Sequence, residues 1–304
     1  MRFWSHDRHT FPLPAGHRFP LSKYRLLREA VEREGLGEVR HAGPAPWSQL
    51  EAVHAPDYLR ALRAGTLDRR AERALGLPWS RELVERARRS VQATIAAAAD
   101  ALEDGIGMNL GGGTHHAARD QARGYCVFND VAVMVAALRR SRGLGRVLVV
   151  DCDVHQGDGT AELFARDPET LTLSVHGGAN YPFRRAVSDL DVDLRSGTGD
   201  EEYLDALRGA LAQAIPAARP ELVAYLAGAD PWEGDRLGRL ALTKPGLAAR
   251  DELVLDAASA AGAAICVCLA GGYAPDIRDT VEINLATARL VAARAPLSRA
   301  TAAG

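Results

Sequence analysis

Cysteine is scarce. The chain has four, Cys126, Cys152, Cys266 and Cys268, in 304 residues, and no two form a Cys-x-x-Cys pair. That excludes a disulfide-stapled scaffold and speaks against a zinc ribbon. The four read as small residues buried in strands of a reduced protein. Charge of either sign is not in excess: Lys plus Arg number 37, Asp plus Glu 39, and the net charge is −2. No basic surplus exists to hold a nucleic-acid backbone or a membrane surface. The first residues, Met-Arg-Phe-Trp-Ser-His-Asp, lack the apolar core of a signal peptide. The longest uncharged stretch, Ala257–Pro275, is rich in Ala and contains Gly262, Gly271 and Gly272. It reads as a helix followed by a buried strand, not as a membrane span. No repeat is visible, and H-E-x-x-H, G-x-S-x-G, G-x-G-x-x-G and Walker motifs are missing. The expectation is a soluble cytoplasmic protein.

What is present is an ordinary globular composition, 47% hydrophobic and 25% charged. No Ser/Gly linker divides the chain, and the Pro-containing stretch His41–Trp47 reads as an internal loop. One domain is expected over 1–294, with a flexible tail, 295–304. Helices are expected at Ser22–Glu34, Arg81–Leu102, Asp130–Arg140, Glu201–Ala214, Gly246–Ala261 and Asp279–Ala293. Asn129 is a candidate N-cap, and Thr198-x-x-Glu201 has the pattern of a capping box. Between the helices lie short apolar runs: Gly107–Leu110, Arg146–Val150, Thr170–Val175, Leu222–Ala227 and Ala264–Ala270. Such runs suit strands covered on both faces. The alternation predicts an α/β fold of three layers, with a mostly parallel central sheet flanked by helices.

Each run leads into polar or glycine-rich residues. The first meets Gly111-Gly112-Gly113-Thr114-His115-His116. The second meets Asp151-Cys152-Asp153-Val154-His155-Gln156-Gly157-Asp158. The others end at His176-Gly177-Gly178, at Gly228-Ala229-Asp230-Pro231 and at Gly271-Gly272-Tyr273. Parallel sheets bind ligands beyond the carboxyl ends of their strands, so five such ends suggest one site. In extended backbone, Asp153 and His155 point the same way. With Asp230 from another strand end they make a three-ligand set with an open position for water, as in catalytic zinc sites. The same set also accepts Fe²⁺ or another divalent metal. His115 and His116 suit proton transfer, with Asp151 and Asp158 near enough in sequence to orient them. Tyr273 could donate to a developing oxyanion.

The motifs Gly-Gly-Gly-Thr-His-His-Ala (111–117), Gly-Tyr-Cys-Val-Phe-Asn-Asp (124–130), Asp-Cys-Asp-Val-His-Gln-Gly-Asp-Gly (151–159), Ala-Gly-Ala-Asp (227–230) and Gly-Gly-Tyr (271–273) together resemble the zinc-dependent histone deacetylase and acetylpolyamine amidohydrolase superfamily, from about Arg2 to Ala293. Its fold is arginase-like. His155-Gln156-Gly157 and Glu233–Gly238 resemble the class IV branch, which is associated with removing long fatty acyl groups. The resemblance implies that Asp153, His155 and Asp230 bind Zn²⁺. It makes His116, paired with Asp158, the general base and acid, and His115, paired with Asp151, an electrostatic support. Tyr273 would polarise the scissile carbonyl. A structural K⁺ site maps to Asp151, Asp153, His155, Ser174 and Val175. A substrate tunnel maps to Gly113, Gly124, Tyr125, Gly271 and Gly272, with Tyr181 or Phe183 as the opposite wall.

Two departures stand out. Tyr125 replaces the family's usual Phe. The rim stretch Leu75–Trp79 lacks the acid that many deacetylases use to grip a peptide. The expected reaction is deacylation of lysine side chains, with a long-chain fatty acyl or acetyl group as leaving acid. The alternative substrate is acetylpolyamine or another small acylated amine.

Overall fold

The computed structural model describes residues 1–295. Its strands are β1 (Arg2–Ser5), β2 (Glu38–His41), β3 (Ile106–Asn109), β4 (Val147–Asp151), β5 (Thr170–Gly177), β6 (Leu190–Leu194), β7 (Leu222–Leu226) and β8 (Ala264–Cys268). They form one sheet in the order β2-β1-β3-β8-β7-β4-β5-β6. Every neighbouring pair is parallel. The helices are α1 (Lys23–Arg33), α2 (Trp47–Leu50), α3 (Pro56–Ala64), α4 (Arg69–Leu75), α5 (Arg81–Asp104), α6 (Asp130–Arg142), α7 (Asp158–Phe164), α8 (Asp200–Ala218), α9 (Lys244–Ala260) and α10 (Ile277–Arg294).

The apolar runs divide their side chains between two cores, because successive residues of a strand face opposite ways. Val147 and Val149 of β4 join α5 and α6 on one side. Leu148 and Val150 join α1, α8, α9 and α10 on the other. Both layers approach closely. A Cβ added at Gly107 would sit 1.9 Å from the Ala97 carbonyl oxygen of α5, so only glycine lets that helix lie against β3.

The five expected strands are β3, β8, β7, β4 and β5, which are contiguous in the centre of the sheet. Three further strands, β1, β2 and β6, lie towards the edges. β2 (Glu-Val-Arg-His) and β6 (Leu-Asp-Val-Asp-Leu) are short and only partly buried, so no apolar run marks them. The helices α2, α3, α4 and α7 were also not expected from periodicity, being nine residues or shorter.

Asn129 caps α6, its side-chain oxygen accepting from the Ala132 N–H at 2.9 Å. The capping box at Thr198 does not form. Gly199 is the N-cap of α8, which starts at Asp200, and the Thr198 hydroxyl is buried without a partner. Asp200 turns away to accept from Thr243, the cap of α9, at 2.8 and 2.6 Å. The stretch Ala257–Pro275 is the end of α9 followed by the buried strand β8. Among the described residues no helix is long and apolar enough to cross a membrane. Of the expected tail, only Ala295 is described, as the C-cap of α10; 296–304 lie outside the described residues.

Candidate metal centre and active site

Register brings the site together. Across five neighbouring strands the paired residues are Ser174, Asp151, Leu226, Cys268 and Asn109. β3, β4, β7 and β8 end at these residues, while β5 runs on to Gly177 beside β6, so the segments that follow gather along one rim. There Asp153, His155 and Asp230, all buried, offer ligand atoms within 4.8 Å of one another. His155 Nδ1 lies 2.9 Å from Asp153 Oδ1 and 3.4 Å from Asp230 Oδ2.

The donor set fits a divalent metal. Asp230 Oδ2 is buried and has no hydrogen-bond partner, whereas buried carboxylate oxygens are otherwise satisfied. Its other oxygen accepts from the Val154 N–H at 3.0 Å, and Asp153 Oδ2 accepts from the Gly271 N–H at 2.7 Å. The backbone thus fixes both carboxylates. A Cβ at Gly271 would come within 1.8 Å of Asp230 Oδ2, so that position excludes any side chain. Burial and the neighbouring Asp153 push Asp230 up to about 6. Burial opposes the charge of Asp153 as well, but His115 and hydrogen bonds from His155 hold it well below the usual carboxylate range. Two carboxylates and one imidazole at this spacing provide the charge and geometry of a metal site with open positions.

Beside it, each neighbouring histidine has its own aspartate. His115 Nδ1 meets Asp151 Oδ2 at 2.6 Å, and His116 Nδ1 meets Asp158 Oδ1 at 2.6 Å. Both Nδ1 atoms donate to carboxylates, which leaves each Nε2 for the cavity. The two rings titrate apart. Burial lowers His115, but Asp151 and Asp153 outweigh it and raise it to about 9. Burial and the charge of His115 lower His116 to about 4. Arg123 lies 3.2 Å from the other oxygen of Asp158 and drains its pull on His116. A pair of titratable groups driven apart is the pattern of an acid–base site.

The same cavity, about 410 Å³, is lined by the metal-site residues, by His115, His116 and Tyr273, and by Gly113, Gly124, Tyr125, Tyr181, Phe183 and Gly271. Burial, with Asp230 adding, keeps the Tyr273 phenol protonated by raising it well above its ordinary range. Tyr181 stands edge-on to His116, with ring centroids 4.9 Å apart. Phe183 is 89% exposed at the mouth. Tyr125 has φ +67° and packs 5.8 Å from the Tyr273 ring. Gly272 is the exception among the expected tunnel residues. It is not on the cavity wall. Its φ of +140° turns the chain behind Tyr273, and a Cβ there would strike Thr280 and Ala229. Ser174 sits beside Asp151 in register, and its hydroxyl pairs with His176 Nδ1 at 2.9 Å.

Three buried or shielded charges escape the sequence reading. Asp130, in the first turn of α6, accepts from the Gly113 and Thr114 N–H groups at 3.0 and 2.7 Å and holds the glycine loop. Asp235 accepts from the Tyr273 N–H at 2.6 Å and from Leu237 and Gly238 at 2.8 and 3.0 Å. Arg250 is fully buried in α9. It donates to the carbonyls of Gly228 and Cys152 at 2.6 and 3.2 Å and to Asp251 at 2.8 Å. It thereby ties together the two turns that carry the candidate ligands. One signal was available: Arg250 falls three residues after Leu247 and four before Val254, on an apolar helix stripe.

A parallel sheet whose rim joins an Asp/His/Asp set to two His–Asp pairs and a tyrosine defines a metal-dependent hydrolase of amide bonds. Comparison with known proteins agrees. Residues 17–288 match the family model for the histone deacetylase domain, and the chain belongs to that family. It is 42% identical over 280 residues to an uncharacterised protein of Picosynechococcus, covering 91% of this chain and 93% of that one. It is 30% identical over 284 residues to a histone deacetylase-like amidohydrolase of Pseudomonas aeruginosa, covering 86% and 74%. The fold matches the crystal structure of a histone deacetylase homologue from Aquifex aeolicus with a TM-score of 0.82 at 22% identity, over 96% of this chain and 84% of that one.

Proposed function

We propose that this chain is a zinc-dependent deacylase that hydrolyses the amide joining an acyl group to the side-chain nitrogen of lysine. The observation that carries the reading is the convergence in one cavity of the buried Asp153, His155 and Asp230 donor atoms, with Asp230 Oδ2 left without a hydrogen-bond partner, and two histidines each held by its own aspartate. Asp153, His155 and Asp230 would hold the metal. Bound there, it supplies a Lewis acid for the carbonyl and for water.

The chain's own residues do the rest. Neutral His116, with Nδ1 tied to Asp158, takes the proton of the attacking water at Nε2. The water oxygen bonds to the acyl carbon while the Tyr273 hydroxyl donates to the carbonyl oxygen. The C–N bond then breaks, and His116 returns its proton to the departing amine. His115, held by Asp151, supports the negative charge that develops. Asp130, Asp235 and Arg250 act through others, holding the glycine loop, Tyr273 and the ligand-bearing turns. The adjacency of Asp151, Ser174 and Val175 on β4 and β5 supports a structural K⁺ beside the metal.

Two observations bear on the substrate. The only acids on the cavity wall, among the described residues, are the metal-site Asp153 and Asp230, while Arg86 and Arg239 also line it. A polycationic polyamine would find no counter-charge there, which favours an acyl-lysine over an acetylpolyamine. Gln156, bonded to Ala186 and Asp191 at 3.0 and 2.9 Å, supports kinship with the class IV branch. The four unpaired cysteines support a reducing, cytoplasmic setting. The test is turnover by the zinc-loaded protein of one lysine peptide carrying acetyl, octanoyl or myristoyl groups. Hydrolysis of any of them is the expected result. Turnover of acetylpolyamines alone would move the assignment to small amines.

A further inference from the structure

The cavity that holds the reacting groups also reaches His6, Phe11, Tyr24 and Arg86. Arg86 is 93% buried by its 7% exposure, and its Nε and Nη2 atoms are buried without any hydrogen-bond partner. Its guanidinium lies 4.4 Å above the Tyr24 ring and 5.7 Å from that of Phe11. Ring faces offset part of a cation's desolvation, but they accept none of its N–H bonds.

Among the described residues no carboxylate forms an ion pair with Arg86. Asp7, whose charge is felt at Arg86, is already bonded to Arg28 at 2.9 Å and to the Ser5 hydroxyl at 2.7 Å. The adjacent His6 is buried with Nδ1 unpartnered. Lys23, next to Tyr24, gives its ammonium to the carbonyls of Ala270 and Gly272 at 3.3 and 3.4 Å. This end of the cavity is therefore cationic. An arginine cannot shed its proton, and a buried, unpaired charge is costly. A planar fork with open donors matches a carboxylate.

We propose that Arg86 is a carboxylate-binding residue on the buried wall of the active-site cavity, and that the preferred acyl group is a dicarboxylic acid joined to the amine through one end, of the succinyl or glutaryl class. The inference rests on the deacylase reading and names its substrate. The reaction is unchanged: water adds across the amide, the C–N bond breaks, and the free amine and the dicarboxylate leave. A long, wholly apolar tail would instead bring hydrocarbon against an unpaired guanidinium.

The test compares kcat/KM of the metal-loaded full-length protein on one peptide with its lysine glutarylated or pentanoylated, two acyl chains of equal carbon number. The glutaryl peptide is expected to be better by about 10- to 100-fold, the worth of a hydrogen bond to a charged group. In Arg86→Met this ratio should fall to about one, and in Arg86→Lys part of it should return. A wild-type ratio of one or less overturns the proposal, whether or not Arg86→Met folds. That holds even if free short-chain carboxylates inhibit, because Arg86 would then serve only the departing acid. If no acyl peptide is hydrolysed, the deacylase reading fails separately. Calorimetric binding of glutarate then decides: binding lost in Arg86→Met supports the subsite, and no binding to the wild type removes it.

Discussion

His115 and His116 stand with ring centroids 4.1 Å apart, yet each gives its Nδ1 proton to a different buried aspartate. That separation gives adjacent residues different proton affinities. Removing His116 should therefore stop proton transfer without dismantling the metal site. We expect His116→Ala to lower kcat by about 100- to 10,000-fold with metal content intact. Asp158→Asn should lower it less, because the ring remains but its tautomer is no longer held. Equal kcat in wild type and His116→Ala would assign the base elsewhere.

Tyr273 offers a hydroxyl to the cavity while Asp235 holds its backbone. Tyr273→Phe removes only that hydroxyl. The expected loss in kcat is about 100- to 1,000-fold, as for other single donors to an oxyanion, with one zinc per chain retained. Full turnover in this variant would end the oxyanion role.

Of the three proposed ligands, Asp230 has the unsatisfied oxygen. Asp230→Ala should leave the purified protein without bound metal, as elemental analysis reads directly. Dialysis of the wild type against a chelator should abolish activity, and zinc should restore it. Unchanged metal content in Asp230→Ala would exclude Asp230 as a ligand.

His54 is fully buried and does not line the active-site cavity. Its Nδ1 donates to the Ala118 carbonyl at 2.9 Å, and its Nε2 accepts from the Asn129 N–H at 3.1 Å. Protonation would set an N–H against an N–H. Burial accordingly lowers it to about 4 from an ordinary 6.5. The unfolded chain then binds the extra proton between these values, so stability is full above pH 6.5 and falls as pH drops towards 4. The loss amounts to roughly 3 kcal/mol. Urea melts at pH 7 and pH 4.5 should show a smaller acid loss in His54→Gln than in the wild type. Parallel losses would show that other groups set the acid limit.

Much of the site was legible because its chemistry is local. Asp153 and His155 share a face through the two-residue period of extended backbone, and the five central strands announce themselves as apolar runs. Other features were hidden. The edge strands β2 and β6 bury little and carry no run. Thr198 has a capping pattern, but Asp200 is engaged by Thr243, forty-three residues on. Asp130, Asp235 and Arg250 act only through backbone groups that the fold brings to them.

The sequence by itself determined the class of fold and pointed to the candidate ligand set and the two histidines, since side-chain type and strand period suffice for those. Tertiary structure alone decided which aspartate orients which histidine and that Gly272 lies behind the wall while Gly271 lines it. It also left Arg86 without a partner. Pairing and burial depend on segments distant in the chain, and the dielectric that sets each proton affinity exists only once the sheet and its helices have closed around them.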